Sequence, residues 1–276
     1  MHARFTFAVL LSFFLLMGLT GVGLAQQFAH ATYPNLGPGR AGMANLPDGS
    51  TVKALQTEIG GGELHLVKVD ACDLVLWSKR LAIGKPTGKL LGIAAWQEHI
   101  YLALTLSNHS PADTLLLLKT NAQGQVLWAE KISGPSMFWY NLSVNNRGDI
   151  YLNGNTQDPS YQANIVIKIA SGGSILWSNA YTSSQIWGMG VPDHRGGFLR
   201  LTGRTAYLLD ANGSPQWIRM YDAGYQSLVP PLFTQDGFVV FVANPGNTGS
   251  AQAFKIDLQG QVLWSSLRFL NGSSAM

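Results

Sequence analysis

The side chains that could do chemistry are few and dispersed. Of 276 residues, 15 are Asp or Glu, 6 are His and one is Cys. Two carboxylates facing each other across a glycosidic bond would make a glycosidase. The candidates are Asp48, Asp149, Asp193, Asp210, Asp236 and Asp257. Each stands within three residues of Gly or Pro, in a turn-like stretch where a carboxylate ordinarily bonds the turn's own backbone. No Gly-x-Ser-x-Gly elbow, phosphate-cradling loop or His-Glu-x-x-His motif occurs. Cys72 falls in a turn, with no His or Cys at metal-site spacing around it. The sequence therefore assigns no catalytic residue, no cofactor and no metal.

Binding chemistry is better represented. Three segments set aromatics beside amides: Phe138-Trp139-Tyr140-Asn141, Gln185-Ile186-Trp187-Gly188 and Gly224-Tyr225-Gln226-Ser227. Such faces stack on and hydrogen-bond a sugar or a peptide. The predicted ligand-binding rim is Trp139, Tyr140, Trp187 and Tyr225. Packing between neighbouring sheets is the competing use of the same rings.

The elements that would position this rim follow from an internal repeat. Lys255-Ile256-Asp257-Leu258-Gln259-Gly260-Gln261-Val262-Leu263-Trp264 is the cleanest of five decamers, the others spanning 68–77, 119–128, 168–177 and 208–217. Their tryptophans fall at 77, 128, 177, 217 and 264, a period that means a solenoid, a propeller or an array. Each decamer reads as an apolar strand, a turn opened in four copies by Asp or Asn, and a second apolar strand ending in Trp. The sixth position is Gly four times and Asp73 once, residue types that accept the positive φ of a tight hairpin. A second hairpin precedes each copy, with turns at Pro47-Asp48-Gly49, Gln97-Glu98-His99, Arg147-Gly148-Asp149, Arg195-Gly196-Gly197 and Gln235-Asp236-Gly237. Two hairpins make four short antiparallel strands, one propeller blade. The predicted fold is all-β: a β-propeller of five four-stranded antiparallel blades, its ring closed or incomplete. An incomplete ring exposes edge strands that self-associate. In a propeller the first strand of each blade lines the channel, which puts the aromatic segments around one mouth.

Hydrophobic residues make up 46% of the chain and charged residues 12%, enough for a large core and a sparsely charged surface. A formal charge of +3 without a basic run gives no footprint for nucleic acid. Residues 1–25 read as a signal peptide: His2 and Arg4, an apolar Phe5 to Leu19, and small residues before Gln26. Cleavage there leaves no transmembrane span. Residues 26–40 read as a Pro/Gly linker, 41–271 as the propeller domain and 272–276 as a short tail. The expected location is secreted or cell envelope, periplasmic or extracellular.

On the decamers, the region from about 41 to 270 resembles the repeats of secreted bacterial and archaeal β-propellers of the quinoprotein-like (PQQ-like) superfamily. The carriers are Lys255-Ile256-Asp257, Gly260 and Val262-Leu263-Trp264 with their four counterparts. The resemblance implies architecture; the same blade serves enzymes, assembly factors and surface proteins. The quinoprotein enzymes are longer, with eight blades, an adjacent cysteine pair and a calcium-binding set, none of which this chain matches, so a bound quinone is not expected. The expected function is that of an exported, non-enzymatic binding or scaffold module for a protein partner or a surface glycan. Two alternatives stay open: a quinoprotein-like or glycosidase-type propeller enzyme, and a structural subunit of an envelope assembly.

Overall fold

The computed structural model describes residues 40–56, 64–81, 90–106, 112–156, 163–182, 188–202, 205–221, 231–243 and 250–269. Within them lie nineteen strands, and each decamer forms the third and fourth strands of a blade. Blade 1 is β1 (Arg40–Asn45), β2 (Thr51–Gln56), β3 (Leu64–Val69) and β4 (Val75–Leu81). Blade 2 begins with β5 (Leu90–Trp96), β6 (His99–Thr105) and β7 (Ala112–Asn121). It ends in β8 (Val126–Val144), which runs on to become the first strand of blade 3. Blade 3 continues with β9 (Ile150–Thr156), β10 (Ala163–Ile169) and β11 (Ile175–Thr182). Blade 4 is β12 (Gly188–Pro192), β13 (Phe198–Thr202), β14 (Thr205–Leu209) and β15 (Pro215–Met220). Blade 5 is β16 (Leu232–Thr234), β17 (Gly237–Ala243), β18 (Ser250–Asp257) and β19 (Val262–Phe269). Neighbours in each sheet are consecutive in sequence and antiparallel, and blades 2 and 3 form one seven-stranded sheet through β8. The inner strands of successive blades meet: β1 with β5, β5 with β8, β8 with β12 and β12 with β16. Both hairpin turns of every blade consequently lie at one end of the molecule.

The decamer turn has one design throughout. In blade 2 the amide of Asn121 donates to Gln125 O at 3.0 Å and that of Gly124 to Asn121 O at 2.9 Å. The Asn121 side chain then accepts from the amides of Gln123 and Gln125. Asp70, Asp210 and Asp257 do the same in blades 1, 4 and 5. Ala170 of blade 3 lacks the side chain but keeps the backbone bonds. The carboxylates of Asp70, Asp210 and Asp257 are thus spent on backbone, as their neighbours suggest. The sixth residue has positive φ in all five copies, 62° at Asp73 and 71° at Gly124 among them.

One feature of the decamer departs from expectation. Its Trp does not end a strand: the fourth strand begins just before it and continues well beyond. The register slips at the same place in all five copies, so that Trp77 pairs with Lys68 while Val75 pairs with Val69. A bulge of this kind turns two adjacent side chains to one side. The apolar pairs before the Trp are therefore on the surface rather than in the core, Val75 at 64% exposure and Leu76 at 55%.

The core lies between blades. Leu64, Leu66, Ile100, Leu102 and Leu104 pack between blades 1 and 2, and Leu199, Leu208, Phe238 and Ile256 between blades 4 and 5. The tryptophans latch each blade to the next. Trp77 Nε1 donates to Ala122 O at 3.2 Å, Trp128 to Ser171 O at 3.3 Å, Trp177 to Ala211 O at 2.8 Å and Trp217 to Leu258 O at 2.9 Å. In each case the acceptor is the fourth residue of the following decamer. A polar tie of blade 1 joins Lys68 Nζ to Asp48 Oδ2 at 2.8 Å. Bonds from Lys68 and Ser50 hold the Asp48 carboxyl down from 3.8 to about 2. A lowered folded-state value stabilises above the unfolded pKa and stops doing so as pH falls through the folded one. Between about pH 4 and pH 2 this contribution disappears. It is small, because the carboxylate is half-exposed. The Asp48→Asn variant should lose less stability than wild type between pH 5 and pH 2.5, compared by urea midpoints at the two values.

Candidate functional site

Of the aromatic segments, Phe138-Trp139-Tyr140-Asn141 opens the inner strand of blade 3, at the end opposite the hairpin turns. Trp139 and Tyr140 lie in β8, where Phe138 pairs with Asn155, Trp139 with Gly154 and Asn141 with Asn153. The pairing slips between Trp139 and Asn141, making Tyr140 the extra residue of a bulge, a device that re-aims a strand at sheet edges and sites. Trp187 and Tyr225 lie outside the described residues; Trp187 immediately precedes Gly188, the first residue of β12.

Beside this segment, blades 3 and 4 share a buried polar cluster. Asn153, Asn155, Asn164, Arg200 and Thr202 are all at most 2% exposed. Their positions follow from strand alternation. Arg200 is the middle residue of Phe198-Leu199-Arg200-Leu201-Thr202, and its side chain crosses to blade 3. Arg200 Nη2 donates to Gly154 O at 3.2 Å and to Asn164 Oδ1. Asn141 Nδ2 donates to Gly190 O at 2.9 Å and Asn153 Nδ2 to Gly188 O at 3.2 Å. Gly188 and Gly190 permit this approach. A Cβ on Gly188 would stand 2.7 Å from Thr202 Cγ2 and 3.1 Å from Arg200 Nη2, and one on Gly190 would stand 2.3 Å from the Phe198 ring. Asn153 Oδ1 and Asn164 Nδ2 are buried with no hydrogen-bond partner among the described residues, a capacity that ordered water commonly takes up.

A second set of ties joins the same blades at the turn end. Tyr151 Oη donates to Gly196 O at 2.6 Å, and its ring stacks on Phe198 at 5.2 Å between centroids. Lys168 Nζ reaches Asp149 Oδ2 at 3.2 Å and the carbonyls of Gly196 and Ala211. Burial pushes the Tyr151 hydroxyl well above the ordinary tyrosine value, so it stays a proton donor at any physiological pH. Blades 3 and 4 are thus pinned at both ends by polar groups, with the start of β12 fixed against β9 and β13.

Sequence reasoning missed Arg200, Asn153, Asn164 and Lys168. The signals were present: a lone cation inside an apolar strand run, and Lys at the first decamer position in four copies of five. Asn141, which opens an Asn-x-Ser triplet, spends its amide on the blade interface. Together these residues can orient, rigidify and hydrogen-bond.

Five blades linked by their inner strands and latched by tryptophan define a β-propeller. No protein-family profile matches the chain, and no curated protein matches it in sequence. Solved structures do match in fold. A Bacteroides caccae protein of unknown function aligns with a TM-score of 0.55 at 15% identity, over 85% of this chain and 84% of that one. The WD40 domain of Neurospora crassa Pan2 aligns with 0.57 at 12% identity, over 86% and 68%. A chimera of apocarotenoid oxygenase and RPE65 aligns with 0.52 at 9% identity, over 84% of this chain and 64% of the chimera. At these identities the likeness is one of fold. Among the described residues no helix is long and apolar enough to cross a membrane.

Proposed function

We propose that the chain is an exported binding module of the quinoprotein-like kind, taking a protein partner or a surface glycan at the aromatic mouth of blades 3 to 5. The observation that carries this reading is the buried Asn/Arg cluster directly beside the segment bearing Trp139 and Tyr140. A binding surface needs ring-bearing segments held in place before the ligand arrives, because ordering them on binding costs affinity. Arg200, through Gly154 and Asn164, fixes the strand against which Trp139 pairs. Apolar faces flanked by amides suit the pyranose rings and hydroxyls of a sugar, and equally an extended peptide. Export rests on the apolar leader of residues 1–25, which lies outside the described residues.

The test is an oligosaccharide array, and a pulldown from envelope extract, with wild type and a Trp139→Ala, Trp187→Ala double variant. Two stacking platforms removed should weaken capture by about tenfold or more, at ~1 kcal/mol or above for each ring. Equal capture by both proteins, with the variant folded by circular dichroism, would refute the rim.

A further inference from the structure

Among the described residues, nothing covers the outer face of the fifth blade as the next blade covers its four counterparts. By the rule the other latches follow, Trp264 would donate to Ala71 O, the fourth residue of the first decamer. It does not: the Trp264 ring is 44% exposed, the residues from Ala71 to Leu74 are exposed too, and Trp264 Nε1 has no acceptor among the described residues. The residue types give a reason. In blades 2 to 5 the preceding blade's outer strand lies over the sixth decamer residue, which is glycine. A Cβ on Gly124 would stand 2.9 Å from the Trp77 ring, one on Gly213 2.9 Å from the Trp177 ring, and one on Gly260 3.1 Å from the Trp217 ring and 2.7 Å from Arg219 Cδ. Only Gly173 has ordinary room. In blade 1 this position is Asp73, its carboxylate bonded to Lys53 Nζ at 2.8 Å and otherwise facing water. Closing Trp264 onto that turn would press an indole against a side chain where the other latches have none, and would desolvate a carboxylate.

We propose that the face of β19 around Trp264 is an interaction surface for a further propeller blade supplied by another polypeptide. Its hairpin turn would carry Asp or Asn at the third position, an open carbonyl at the fourth and glycine at the sixth. The four filled latches show what such a face accepts: an indole acceptor beside a bare glycine Cα. The chain's own first blade does not fit, because of Asp73. A second copy does not fit either. Its turns in blades 2 to 5 are already covered by its own tryptophans, and its first turn carries the same Asp73. This inference rests on the reading of the chain as a binding module and deepens it. The Trp264 face lies at the turn end and the aromatic mouth at the other, so failure of one leaves the other standing.

The experiment gives the full-length chain an acceptor it lacks. The Asp73→Gly, Trp264→Ala double variant offers a glycine-bearing first turn and no donor; wild type offers the donor. Each alone should sediment as one chain. Mixed in equal amounts they should form a one-to-one complex, with the sedimenting mass doubled and Trp264 emission, isolated by difference against Trp264→Phe, shifted to the blue. Replacing wild type by Trp264→Ala in the mixture should abolish the complex. A mixture that stays at the mass of one chain, with both proteins folded by circular dichroism, overturns the proposal. So does wild type alone in which Trp264 is as shielded from acrylamide as the average tryptophan of the chain, since its own first blade would then fill the face.

Discussion

Replacing Trp177 by alanine is expected to lower stability by about 2–4 kcal/mol, toward the lower part of the range for aromatic truncations because the ring is only partly buried. The same change at Trp264 should cost less than about 1 kcal/mol, as at exposed sites without a special role. The two residues occupy equivalent decamer positions, so the difference isolates the latch from the strand that carries it. Trp177 bonds Ala211 O at 2.8 Å and packs edge-on against Tyr151 at 6.3 Å between centroids. Its loss opens a cavity over Gly213 and leaves the Ala211 carbonyl to Lys168 alone among the described residues. Trp177→Phe separates the two effects: it keeps much of the packing and forfeits the indole bond, for about 1 kcal/mol. Urea unfolding followed by far-ultraviolet circular dichroism measures all three. Equal losses at Trp177 and Trp264 would show that the latch contributes nothing beyond local strand packing.

Most of the architecture could be read from the chain because local chemistry and periodicity agree. In four copies each, the decamer turns are written in Asp or Asn at the third position and Gly at the sixth, and the structure spends those residues as the types suggest. The bulge opposite Lys68, Lys119, Lys168, Leu208 and Lys255 was not legible, because register depends on the partner strand. Val75 and Leu76, apolar residues of the strand that follows the turn, are therefore on the surface. The fusion of blades 2 and 3 through β8 was hidden because Gly134 and Pro135, residue types that ordinarily interrupt a strand, lie within one continuous strand. The polar cluster was illegible for another reason. Asn153, Asn164 and Arg200 come from three strands of two blades, and nothing in one sequence shows that they meet. Of the rim, the structure positions the backbone of Trp139 and Tyr140, while Trp187 and Tyr225 lie outside the described residues.

Arg200→Ala should have the second large effect, and its signature should be regional. The guanidinium is 1% exposed, and burying a cation is costly unless polar groups receive it. Removing it relieves that cost but leaves Gly154 O and Asn164 Oδ1 without their donor and opens space under Gly188. Each buried acceptor left unsatisfied costs about 1–3 kcal/mol, and a cavity adds to it. A net loss of about 3 kcal/mol follows. Arg200→Lys should recover little, because Lys Nζ ends short of the Nη2 position that reaches both acceptors and an ammonium is more strongly hydrated, hence costlier to bury. Hydrogen exchange read by mass spectrometry distinguishes this role from a general one. Exchange should accelerate in residues 137–144, 150–156 and 188–192, where the cluster joins β8, β9 and β12, and stay unchanged in β2 and β3 of blade 1. If protection falls evenly across all five blades, Arg200 supports the ring as a whole and does not hold the aromatic mouth in place.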